Sequence, residues 1–119
     1  MRDAVIVGAV RTPVGRRKGG LAGHHPVDLS GLVLRALAER AGFDPADVDD
    51  VAWGCVMQVG EQSWNVGRSA VLAAGWPESV PGATIDRQCG SSQQAVHAAA
   101  AAVIAGQADL VVAGGVESM

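Results

Sequence analysis

Short apolar runs rich in valine and isoleucine alternate along this chain with longer segments of helical period, and that alternation confines the fold to a layered α/β arrangement. Residues 4–10 (AVIVGAV) form a continuous β-branched run, the pattern of a strand covered on both faces as in a parallel sheet. Residues 11–25, with four glycines and Pro13, read as a long loop. Pro26 opens a helix, where a missing N–H costs nothing, and Leu29, Leu32, Val33, Ala36 and Leu37 make one apolar stripe along it. Gly42 stands where a left-handed C-terminal cap is wanted. An acidic turn over 44–50 precedes a second strand, 51–57, whose large side chains sit at Val51, Trp53, Cys55 and Met57. Ser63 or Asn65 caps the next helix, which runs through Val71 and Leu72 to Gly75. A third strand is expected over 83–87, an alanine-rich helix over 90–105, and a last strand over 109–114. The order is β, α, β, α, β, α, β, for which right-handed crossovers are the rule.

A length of 119 residues fits one domain, and with 49% apolar and 18% charged residues the chain is expected to fold rather than remain disordered. The net charge of −3 comes with no basic stripe, which speaks against a nucleic-acid partner. The one basic cluster, Arg16-Arg17-Lys18, is flanked by glycines and reads as a solvated loop. No apolar segment approaches the ~18–20 residues needed to cross a bilayer, and no signal peptide is legible, so a cytoplasmic location without membrane contact is expected. The glycine-rich stretch 15–23 lacks the order of a phosphate-binding loop. No Cys/His set has metal-ligand spacing, so no metal is expected. Cys55 and Cys89 read as free thiols, Cys55 packed into the core through its strand.

The informative segment is 84–95 (TIDRQCGSSQQA), in which Cys89 lies where an extended strand turns into a helix. The first amides of a helix lack internal partners, and the helix dipole adds partial positive charge there; both favour a thiolate, the form that attacks. Gly90, Ser91 and Ser92 leave room for a carbonyl to approach, and the same amides suit an oxyanion. From position alone Cys89 is either such a nucleophile or an inert buried thiol. His97 is about 12 Å further along the helix, too far to act as its base. His24 and His25 read as loop surface. The chain therefore offers a nucleophile without a partner base. It also stops just after a strand, as a piece of a longer protein would.

Four stretches together resemble the thiolases over the whole length of the chain. They are 4–15 (AVIVGAVRTPVG), 19–29 (GGLAGHHPVDL), 86–95 (DRQCGSSQQA) and 113–119 (AGGVESM). The resemblance implies an α/β, thiolase-like N-terminal half over residues 1–119, an incomplete mixed sheet with flanking helices. It implies that Cys89 takes an acyl group as a thioester, with its own backbone N–H contributing to the oxyanion site. The acyl group would come from an acyl-CoA or 3-ketoacyl-CoA and pass to CoA or to an acetyl-CoA carbanion. Coenzyme A is then a substrate, and no cofactor is bound permanently. In the family, a histidine and a second cysteine complete the site from the C-terminal half, and Cys55 does not match that second cysteine. The resemblance further implies a homo-oligomer, dimer or tetramer, and an isolated fragment without turnover. Many relatives have Asn where Asp86 stands and Gly within the pair Ser91-Ser92. The DRQCGSSQQ variant resembles a degradative subgroup that includes enzymes acting on bulky or steroid-derived acyl chains. The RTP and ESM segments speak against the related ketoacyl synthases. A non-catalytic module that binds a partner subunit is the competing expectation.

Overall fold

The computed structural model describes residues 2–119, so Met1 lies outside the described residues. Helix α1 spans Pro26–Ala41, with proline in its first turn as expected. His25 caps it, Nδ1 accepting from Val27 N at 3.2 Å, a role the loop-surface reading missed. Gly42 ends it in the left-handed region, φ 75°, its N–H donating to Ala38 O at 2.8 Å; that φ favours a residue without Cβ. Helix α2 spans Val66–Ala73, and of the two expected caps it is Asn65 that serves, accepting from Arg68 N at 3.1 Å. The Ser63 hydroxyl instead donates to Gly60 O. Helix α3 spans Ser91–Ile104.

Three strands, β1 (Asp50–Gly54), β2 (Ala83–Ile85) and β3 (Val111–Gly115), form a sheet in the order β2-β1-β3. Both pairings are parallel, so the antiparallel part of the expected mixed sheet is not among the described strands. The α1 and α2 helices lie on the face presented by Val51, Trp53 and Cys55, and α3 lies on the other. Most of the core sits on the first face: Leu34, Val51, Trp53, Cys55, Val66, Val71 and Val80 are all at most 2% exposed. Trp53 donates its indole N–H to the buried Ser30 hydroxyl at 3.1 Å, which in turn donates to Pro26 O, so the polar tip of the aromatic is satisfied inside the core.

Two expectations are corrected here. Residues 4–10 run without a strand partner, and Val5, Ile6 and Val7 are 75, 83 and 67% exposed. A β-branched run favours extended backbone, but a strand exists only through hydrogen bonds to a neighbour, and none of the three strands pairs with this one. Arg2 holds the start of the segment instead, through Val103 O, Ala108 O and the Asp109 carboxylate at 2.6–2.8 Å. The second correction concerns α1, whose buried positions are Pro26, Ser30, Gly31, Leu34 and Ala38, while Leu32 is 45% exposed. A Cβ at Gly31 would come within 3.1 Å of the Ala73–Ala74 backbone, so the smallest residue of the helix lies against α2, and of the expected stripe Val33 and Leu37 pack on the core only partly buried.

The turn that leads into β3 is fastened by Asp49, whose Oδ2 accepts from Asp109 N at 2.7 Å and from Leu110 N at 3.2 Å. Those two amides, with a smaller contribution from the Arg2 charge, hold the Asp49 carboxyl below its ordinary value. A carboxyl depressed on folding stabilises the fold above its unfolded pKa, about 3.9, and that contribution is lost as pH falls through the lower, folded value. Thermal midpoints followed down from neutral pH are therefore expected to fall below about pH 4. Asp49→Asn is expected to flatten that acid limb; an unchanged limb in the variant would remove Asp49 as its cause.

Candidate active site

Cys89 lies between β2 and α3, outside the carboxyl ends of the parallel strands, the edge where ligands of α/β sheets bind. Its local conformation is fixed by short-range chemistry. Asp86 Oδ1 accepts from Gln88 N at 2.9 Å, an Asx turn, for which an asparagine in the same place would serve as well. Gln88 then takes φ 51°, a left-handed conformation that costs a side-chain-bearing residue on the order of 1–3 kcal/mol. Ser91 offsets that cost. Its hydroxyl accepts from Arg87 N at 2.8 Å and donates to Gln88 O at 2.6 Å, and the residue is 4% exposed. Sequence reasoning treated Ser91 only as a small neighbour; the structure makes it the latch of the turn.

The turn can sit close to the sheet because glycines face it. A Cβ at Gly54, the last residue of β1, would fall 2.4 Å from Ser92 N and 2.6 Å from Ser91 C. One at Gly115, the last residue of β3, would fall 2.0 Å from Ser92 Oγ. The start of α3 thus rests on a shelf of bare backbone.

The two cysteines are in opposite environments. Cys89 is exposed, whereas Cys55 is 1% exposed beyond the end of β1. Burial first, then the Glu117 and Asp86 charges, push the Cys55 thiol above its ordinary value and keep it protonated near neutral pH. The amides nearest Cys89 are less free than the sequence suggested: Gly90 N donates to Arg87 O at 3.0 Å and Ser91 N to Gln88 O at 3.1 Å. Among the described residues, Ser92 N and Gln93 N find no acceptor, and they carry what the helix start can offer an anion. His24, His25 and His97 are all exposed, and the only side-chain role seen for them is the His25 cap.

Arg16, Arg17 and Lys18 are exposed on a series of tight turns. Two surface hollows, one bounded by Ala9, Arg11 and Arg40 and the other by Asp49, Ala98 and Val111, do not include Cys89. Among the described residues no three His, Cys, Asp or Glu side chains gather as a metal set, and no helix is long and apolar enough to cross a membrane.

The family profile described as thiolase, N-terminal domain, matches residues 4–119. A steroid 3-ketoacyl-CoA thiolase of Mycobacterium tuberculosis is 56% identical over 119 residues, covering 100% of this chain and 29% of that protein. A 3-ketoacyl-CoA thiolase of Psychrobacter cryohalolentis is 50% identical, over 99% of this chain and 30% of its own length. The crystal structure of an acetyl-CoA acetyltransferase from Bacillus anthracis superposes with a TM-score of 0.93 at 43% identity, over 99% of this chain and 30% of that one. The chain thus spans about three-tenths of the length of these relatives.

Proposed function

We propose, from the premise that this chain belongs to the thiolase family, that it supplies the acyl-accepting thiol of a reaction moving acyl groups between CoA thioesters. The observation that carries the reading is the contrast between the two sulfurs. Cys89, inside the DRQCGSSQQA motif, stands in the open on a pinned turn, and Cys55 is enclosed and held protonated.

In the degradative direction the Cys89 thiolate attacks the 3-keto carbon of a 3-ketoacyl-CoA. The tetrahedral oxyanion then collapses, the bond between C2 and C3 breaks, and the acyl group stays on sulfur as a thioester. The departing acetyl-CoA carbanion takes a proton. The thiolate of a second CoA next attacks the thioester carbonyl, releasing the shortened acyl-CoA and regenerating the Cys89 thiolate. The backbone N–H of Cys89 is the oxyanion donor this chain contributes. Activation of Cys89 and proton delivery fall, in this reading, to the histidine and second cysteine of the family's C-terminal half, since His97 lies about 12 Å further along α3. The names of the relatives at 56 and 50% identity favour thiolysis over condensation, and the first favours a bulky, steroid-derived acyl group. Coenzyme A is a substrate in this scheme, with no resident cofactor. Assembly as a homo-oligomer accords with Val96 and Ile104, apolar side chains 42 and 40% exposed on α3.

Iodoacetamide at neutral pH, with the modified sites mapped by mass spectrometry, tests the reading. Cys89 is expected to label at least about tenfold faster than Cys55, the penalty for a buried, protonated thiol. Equal, slow labelling of both would favour a non-catalytic module.

A further inference from the structure

Glu117 belongs to the AGGVESM segment, and the chemistry proposed for Cys89 gives it no part. Its carboxylate nevertheless accepts three hydrogen bonds at the sheet edge where Cys89 lies. Oε2 accepts from Val56 N at 2.7 Å, and Oε1 accepts from Met57 N at 3.1 Å and from the Gln62 side-chain amide at 3.2 Å. Gln62, 3% exposed, also donates to Met57 O at 2.9 Å, and its oxygen accepts from Ser118 N at 2.7 Å. One carboxylate and one buried amide therefore stitch the turn after β1 to the segment after β3. Along that same segment Val116 N donates to Gly54 O at 2.9 Å, and Gly115 bears on Ser92 at the start of α3. The stitched turn begins at Val56, the residue after Cys55.

We propose that Glu117 is a positioning residue of the acyl-transfer site: it locks the turn of residues 56–62 that starts beside Cys55, so that of this chain's two thiols Cys89 is the one an acyl group can reach. The proposal rests on reading Cys89 as the acceptor. Hydrogen bonds from neutral amides to a carboxylate are among the stronger ones, and two of these hold consecutive backbone N–H groups, which fixes the path of the chain there. The same negative charge, together with Asp86 and after burial itself, opposes ionisation of the Cys55 thiol. One group thus fixes the turn beside the second sulfur and adds to the burial that keeps it protonated.

Iodoacetamide labelling of both cysteines, followed from about pH 6 to about pH 10 across the thiol range, tests this in the chain and in Glu117→Gln. The variant is expected to label Cys55 about tenfold faster, the scale of a lost charge-assisted contact, with the Cys55 profile displaced to lower pH. A purely structural part would raise the rate without displacing the profile. An unchanged Cys55 rate and profile would overturn the proposal. Should the variant not fold, hydrogen exchange in the unmodified protein decides. The Val56 and Met57 amides are expected to exchange at least about tenfold more slowly than unstructured peptide, and exchange at the unstructured rate overturns the proposal. Failure of Cys89 to outpace Cys55 in the unmodified protein would instead count against Cys89 as acceptor, whatever Glu117 does.

Discussion

Cys89→Ala, in a thiolase of full family length that carries this chain as its N-terminal part, is expected to lower acyl transfer at least about 10,000-fold, the scale on which removal of a covalent nucleophile registers. The physical reason is that the first bond of the proposed reaction forms at that sulfur, and no other side chain on the pinned turn can replace it. Asp86 is engaged by Gln88 N and the Ser91 hydroxyl by Arg87 N and Gln88 O, so neither is free to attack. Because Cys89 is exposed, the truncation is expected to change stability by no more than about 0.5 kcal/mol. Cys55→Ala is the matched control. It removes a buried sulfur and is expected to cost roughly 1 kcal/mol of stability while leaving acyl-enzyme formation in place. Trapping of the acyl group from a 3-ketoacyl-CoA, with the modified peptide identified by mass spectrometry, separates the two. Acyl transfer that survived Cys89→Ala would end the assignment.

Gly54→Ala is the second large effect, and it acts on the fold. The added Cβ would meet Ser92 N, Ser91 C and Ser92 Cα at 2.4, 2.6 and 2.8 Å, all backbone atoms that cannot rotate aside. Either β1 or the start of α3 has to move, and overpacking of this kind costs about 3 kcal/mol or more. For a domain of this size that is a fall of more than about 10 °C in the thermal midpoint. Gly20→Ala is a fair control, since nothing lies within 4 Å of its Cβ position, and it is expected to stay within about 0.5 kcal/mol. Equal melting of the two variants would mean that α3 does not bear on Gly54 in solution.

What could be read from the sequence was decided by neighbours within a few residues. The left-handed cap at Gly42, the Asn65 cap and the strand-to-helix turn at Cys89 all depend on local backbone chemistry, and all three are present. What could not be read depends on approach between distant segments. Residues 4–10 have the composition of a strand, yet composition does not supply the neighbour that makes one. Of the expected stripe of α1, Leu29, Val33 and Leu37 are half-buried while Leu32 and Ala36 are exposed, because the helix is set by how near Gly31 lets it come to α2, a quantity that hydropathy does not encode. Ser91 and Glu117 looked like a spacer and a motif letter. The partners of Ser91 are only three and four residues away but exist because a turn closes back on itself, and those of Glu117 lie some sixty positions away, so hydropathy along the chain announces neither. The site was legible as a cysteine at a strand-to-helix turn inside a family motif. The side chains that pin that turn were not.

The bare strand ends under α3 also bear on how enzymes built on this frame diverge. Since the start of α3 seats on main chain at Gly54 and Gly115, and the turn before it is pinned by Asp86 and Ser91, the lining beyond these residues can be exchanged in evolution or in the laboratory without moving that seat. Altered acyl preference should therefore be sought by varying whatever walls surround the thiol, with Gly54 and Gly115 held invariant in any library.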